Sequence, residues 1–185
     1  MPQYSYSLPS LGSDSVRLLR LMPNEDENAP IQCRLHNYPL QRLDKGSHLY
    51  EALSYVWGSP DTPQSVFIDN CDLPVTVNLH RALSRLRDYT FERILWVDSI
   101  CINQADEQEK EYQIQSMAKI YGQANRVIVY LGEAADDSDQ ALEDIRVAAE
   151  DESVGSVQSA LQSEEGQKSM LKLLERPWFR RIWVS

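Results

Sequence analysis

A carboxylate inside an apolar run is the first place in this sequence where chemistry could reside. Asp98 sits within Ile94–Ile102 (ILWVDSICI), where an ionised side chain is costly unless it is paired or hydrogen-bonded. It either organises loop amides at the rim of a sheet or contacts a ligand directly. Asn103 and Gln104 follow the run, and their amides are suited to cap the next helix or to hydrogen-bond a sugar or a base. Trp57 and Gly58 close a second apolar run, Leu49–Trp57. An indole there closes a core or offers a stacking wall, and the glycine allows close approach of the backbone. Cys101 has no histidine nearby in sequence and reads as a small buried apolar side chain rather than a nucleophile. His36, His48 and His80 are scattered over segments of different character and read as structural or surface groups. The signatures of P-loop nucleotide hydrolysis, dinucleotide binding, zinc proteolysis, serine hydrolysis and thiol redox chemistry are absent.

These residues need elements to position them. Val16–Met22 and Ile31–Leu35 have strand character across a turn-rich PNEDENAP segment, and Val66–Ile68 with Leu73–Val77 reads as a hairpin. Leu49–Trp57, Ile94–Ile102 and Arg126–Leu131 are near-continuous apolar strands, the pattern of strands buried on both faces. Helices alternate with them. Leu79, Ala82, Leu83 and Leu86 share one helical face behind an expected N-cap at Asn78. Ile114, Met117, Ala118 and Tyr121 define a second helix over Asp106–Tyr121, with Gly122 as its expected stop. Later apolar residues fall on helical faces at Ala141, Leu142, Ile145, Ala148 and Ala149, at Val157, Ala160 and Leu161, and at Met170, Leu173 and Leu174. The alternation predicts an α/β fold, a parallel sheet flanked by helices, with ligands bound beyond the carboxyl ends of the strands. That expectation gathers Trp57, Asn103 and Gly132 at one rim.

The chain has 185 residues, 42% of them hydrophobic and 25% charged, which is ordinary globular composition. Its 18 basic and 28 acidic side chains leave a net charge of −10. Eleven of the acids and a single base, Arg146, fall between Glu133 and Glu165, so the remainder balances. That block reads as a solvated, insertional segment. A nucleic-acid binder needs a basic stripe, which is missing. No apolar run approaches bilayer length, no secretory signal opens the chain, and three widely spaced cysteines suggest neither disulfides nor a zinc site. The expected location is cytoplasmic.

In combination the motifs are far more specific. YEALSYVWG (Tyr50–Gly58), ILWVDSICINQAD (Ile94–Asp106), QIQSMAKIYGQANRVIVYLG (Gln113–Gly132) and RPWFRRIW (Arg176–Trp183) resemble, in order and spacing, the heterokaryon incompatibility (HET) domain of filamentous fungi. The motif positions carrying the resemblance include Tyr50, Ser54, Tyr55, Trp96, Asp98, Cys101, Pro177, Trp178 and Trp183. Residues 1–13 read as a loose, flexible polar tail, and the resemblance implies a HET domain over 14–185. Within that domain it implies an N-terminal β extension and an acidic helical insertion over 133–175. It implies an effector of programmed cell death in fungal self/non-self recognition, a form of innate immunity.

HET domains are distantly similar to Toll/interleukin-1 receptor (TIR) domains, which have a flavodoxin-like sheet. Some TIR domains cleave NAD at the nicotinamide–ribose bond, using a glutamate on the helix after the third strand. By that resemblance Trp57, Gly58, Asn103 and Gln104 are ligand-binding candidates and Asp98 a candidate for an assisting acid. NAD is implied as a substrate, with no permanently bound cofactor and no metal. The family motif normally runs on into a glutamine–glutamate pair, so the principal catalytic acid is expected beyond Ser185 and the fold is expected to be truncated at its C-terminus. The competing reading is a non-enzymatic module for homotypic assembly. Both imply a homo-oligomer or a HET or sensor-domain partner, and neither implies nucleic acid or a membrane span.

Overall fold

The computed structural model describes residues 2–6, 15–40, 48–150 and 164–181. It divides into two compact units, Met1–Tyr130 and Leu131–Ser185.

The first unit is built on one mixed seven-stranded sheet. In chain order its strands are β1 (Ser15–Leu21), β2 (Gln32–Pro39), β3 (His48–Tyr55), β4 (Gln64–Ile68), β5 (Cys71–Val75), β6 (Arg93–Trp96) and β7 (Ala124–Tyr130). They lie side by side as β5-β4-β2-β1-β6-β3-β7. The three apolar strands do run together: β3 is parallel to β6 through Glu51–Leu95 and Ala52–Trp96, and parallel to β7 from Ala52–Val127 to Tyr55–Tyr130. Their carboxyl ends therefore share one edge. The sheet as a whole is not parallel, however. β1 is antiparallel to both β6 and β2, and β4 and β5 form an antiparallel hairpin. Its two-residue turn, Asp69 and Asn70, has φ of 48° and 65°, the left-handed conformation that short polar side chains tolerate.

The helices flank this sheet. In α1 (Val77–Leu86), Leu79, Ala82 and Leu83 are buried, as their spacing predicts. The cap is Thr76, not Asn78: its side-chain oxygen accepts from the Leu79 amide at 3.3 Å. The run Ile94–Ile102 is not one strand. β6 ends at Trp96, and Asp98–Cys101 forms a short helical turn, α2. A buried turn and a buried strand are equally apolar, so composition does not separate them. Cys101 therefore belongs to α2.

In α3 (Glu107–Gln123), Asp106 caps the amides of Gln108 and Glu109, and the helix runs through Gly122 rather than stopping there. Its buried face is Glu109, Gln113, Met117 and Ile120, while Ile114 and Ala118 face outward. The expected apolar face was displaced because two long polar residues take interior positions.

Core side chains of the first unit include Leu18, Leu19, Leu53, Ile68, Leu83 and Trp96, each under 2% exposed. Residues 2–6 lie against β5, where Tyr4 N–H donates to the Asp72 carbonyl and Asp72 N–H donates to that of Pro2.

The second unit holds α4 (Ser138–Glu150), α5 (Glu164–Leu174) and a 3-10 turn over Pro177–Arg180. Ala141 and Leu173 are buried, but Leu142, Ile145 and Leu174 are exposed, so the predicted apolar faces are only partly covered. Val157, Ala160, Leu161 and Trp183 lie outside the described residues.

Candidate functional site

At the carboxyl ends of β3 and β6, two of the chemically suggestive segments meet. The Trp57 indole N–H donates to Asp98 Oδ2 at 3.0 Å, joining residues 41 positions apart. The other carboxylate oxygen accepts from the Ser99 amide at 2.7 Å. Ser99 Oγ in turn lies 2.7 Å from the Tyr55 hydroxyl. Asp98 is 6% exposed and Trp57 41%, so the carboxylate is held inside while a large part of the indole is open to solvent. Burial of the acid is offset by charge-assisted hydrogen bonds to its oxygens.

Gln104 joins the same group, its side-chain N–H2 donating to the Asp98 carbonyl at 3.0 Å. Asn103 is used locally: its Oδ1 accepts from the Ala105 amide at 3.2 Å, forming a turn into α3. Gly58 has φ +77°, and a Cβ there would stand 2.9 Å from Asn78 Nδ2. Its left-handed conformation favours glycine, and a side chain there would also displace the Asn78 amide. Asn78 donates from Nδ2 to the Val56 carbonyl at 3.1 Å, so the residue expected to cap α1 holds the end of β3 instead. Nothing in local spacing announces this contact, because it spans separate elements.

Cys101 is a structural group. Its sulfur accepts from the Val97 amide at 3.3 Å, and complete burial pushes the thiol up to about 12. The remaining motif aromatics pack. Tyr50 is fully buried and donates to the Ile120 carbonyl at 2.6 Å. Tyr55 is 1% exposed, Ser54 is half-buried beside it, and Trp96 meets Tyr121 edge to face at 5.5 Å.

A buried ion pair that spacing does not reveal underlies the site. Arg17 on β1 and Glu109 on α3 form a two-pronged contact of 2.5 and 2.7 Å, both side chains almost wholly interior. Burial works against the guanidinium charge, but the Glu109 hydrogen bond and charge outweigh it and raise its pKa.

In the second unit, Arg176 of the RPWF motif donates to the carbonyls of Leu131 at 3.1 Å and Ala135 at 3.2 Å, bracketing Gly132, whose φ is +105°. Pro177 opens the 3-10 turn, and Trp178 packs edge to face on Phe179 at 5.2 Å. Among the described residues, no group of three or more His, Cys, Asp and Glu is placed to hold a metal. None of the described helices is long and apolar enough to cross a membrane.

A parallel β6-β3-β7 core with an acid-anchored tryptophan at its carboxyl edge defines the class of domain, and comparison gives the family. Residues 50–185 match the heterokaryon incompatibility protein (HET) family. The chain belongs to that family. Heterokaryon incompatibility protein 6, OR allele, of Neurospora crassa is 33% identical over 155 residues, covering 76% of this chain. The chain spans only 22% of that relative's length. No solved structure matches.

Proposed function

We propose that this chain is the effector part of a heterokaryon incompatibility protein, triggering cell death when unlike hyphae fuse, and that it acts by TIR-like cleavage of NAD. Family membership supports the incompatibility role. The observation that carries the enzymatic reading is the Trp57–Asp98 contact at the carboxyl edge of β3 and β6. The strand order β6-β3-β7, with β3 first in the chain, is also how a flavodoxin-like sheet begins. Ligands of such sheets bind beyond that edge.

The chemistry follows from charge. Breaking the nicotinamide–ribose bond leaves the electron pair on the departing nicotinamide and positive, oxocarbenium-like character on the ribose, which water then captures with loss of a proton. A carboxylate close to the ribose stabilises that charge electrostatically. Asp98 is the assisting acid in this reading, the exposed indole of Trp57 supplies a stacking surface, and the amides of Asn103 and Gln104 complete the polar rim.

The test is nicotinamide release from NAD by the full-length protein. Release is expected from the wild type and is expected to fall by at least roughly tenfold in Asp98→Asn. No release from an intact, assembled protein that still kills cells would overturn the enzymatic reading. A non-enzymatic assembly module is the second reading, favoured by the exposed Ile114, Val127 and Val129. Under it, Asn103→Ala with Gln104→Ala leaves toxicity unchanged, whereas polar substitutions at those three positions remove it.

A further inference from the structure

The loop that bears Asp98 is held from below by three side chains outside the loop. Four consecutive residues of it, Ile100 to Asn103, each have a backbone group engaged in this way. The Tyr6 hydroxyl donates to the Ile100 carbonyl at 2.8 Å and lies 3.3 Å from that of Ile102. Arg17 Nη1 donates to the Cys101 carbonyl at 3.1 Å. Glu109 Oε1 accepts from the Asn103 amide at 2.8 Å. The three are also joined to one another: Arg17 grips Glu109 with both Nη groups, and its guanidinium carbon sits 5.0 Å from the centre of the Tyr6 ring.

A short helical turn leaves its carbonyls without partners of its own. Here they are supplied by the N-terminal segment and β1, while the following amide is taken by α3.

We propose that Tyr6, Arg17 and Glu109 are positioning residues for the Trp57–Asp98 rim, so that the N-terminal segment is a working part of the site. The proposal rests on that rim being the functional site. Two of the three residues lie before residue 50, where the family match begins. All three grip the loop through its backbone. They act by fixing the backbone from Ile100 to Asn103, which sets the direction of Asp98 on one side and of Gln104 on the other. The arrangement resembles the way outer partners hold the ligands of a designed site, where small backbone displacements cost function.

The pair is also the reason the device is rigid. Arg17 and Glu109 each lose water on folding, and each compensates the other only in this geometry. Tyr6 contributes through burial as well, which pushes its hydroxyl well above the usual tyrosine range and keeps it a donor.

The experiment uses the full-length protein carrying 5-fluorotryptophan, with the Trp57 line assigned by Trp57→Phe, together with hydrogen exchange of peptides covering 98–104. Tyr6→Phe keeps the ring over Arg17 and removes only the hydroxyl. It is expected to raise exchange in 98–104 by roughly tenfold, about the effect of one buried hydrogen bond, and to move the Trp57 line while the Trp178 line stays. Arg17→Met with Glu109→Met replaces the pair by apolar side chains, which avoids leaving one buried charge unpaired, and is expected to have the same two effects.

Unchanged exchange and an unchanged Trp57 line in both variants would overturn the proposal. So would a uniform rise in exchange across the whole sheet, which would mean loss of stability without positioning. Nicotinamide release is read on the same samples. Loosening of the loop in a protein that never releases nicotinamide would sink the enzymatic reading and leave the positioning role standing.

Discussion

At Asp98 the acid and its surroundings settle what kind of group it is. Both of its oxygens accept hydrogen bonds, from the Trp57 indole and the Ser99 amide, so it is a carboxyl group held in a fixed orientation by neutral donors. The cysteines are the opposite case, groups with reactive chemistry held out of reach. Burial pushes Cys33 and Cys101 up to about 12, and the thiolate is the form that attacks electrophiles. Cys71 is half-buried in β5. Native protein treated with iodoacetamide at pH 7.5 should therefore be alkylated at Cys71 well before Cys33 or Cys101, which should become reactive only on unfolding. Peptide mapping checks this, and prompt labelling of Cys101 would mean that the 98–104 loop opens far more readily than its hydrogen bonds imply.

At the scale of elements, α3 shows where a glycine is only a cost. Gly122 lies within the helix, its φ is not positive, and a Cβ there would meet nothing within 4 Å. Glycine in a helix loses more chain entropy than alanine. Gly122→Ala is therefore expected to stabilise the protein by about 0.5 kcal/mol, raising Tm by roughly 1–2 °C, as thermal unfolding would show. The same helix shows what was legible in the sequence.

The three parallel strands could be located from their apolar runs, but the expected burial on both faces does not hold for β7, an edge strand whose Val127 and Val129 are exposed. The inward face of α3 could not be located, because Glu109 and Gln113 interrupt the apolar period that defines a buried stripe. Glu109 is inside only because Arg17, 92 residues away, meets it. Gln113 donates to the Ser15 carbonyl at 3.0 Å. The site divides along the same line. Trp57 and Gln104 were visible as polar or aromatic residues closing or following apolar runs, and Asp98 as a carboxylate inside one. Asn78 and the Arg17–Glu109 pair were not, since their roles are contacts between elements that no local spacing encodes. The short β6 and the α2 turn were misjudged as one strand for a third reason, that burial erases the difference in pattern.

For the whole molecule, stability should be sensitive to mild acid, and two histidines on different elements say why. His36 lies on β2 and His80 on α1, and burial lowers the pKa of each. Arg20 lowers His36 further, against a smaller opposing pull from Glu92, and Arg87 lowers His80 further. Both are thus more easily protonated in the unfolded chain than in the fold. As pH falls through the ordinary histidine value of about 6.5, the unfolded state takes up protons that the folded state resists, and stability declines. The contribution is fully present above that pH and is lost on descending toward the depressed folded values. The lowered carboxyls of Asp88, Glu143 and Glu175 act only at lower pH, since their ordinary values lie near 4. Urea midpoints measured at pH 7.5 and 5.5 should therefore fall, and His36→Gln with His80→Gln should flatten the difference. A midpoint that rises on acidification would overturn this account, in which burial and a neighbouring arginine oppose the charge on each imidazole.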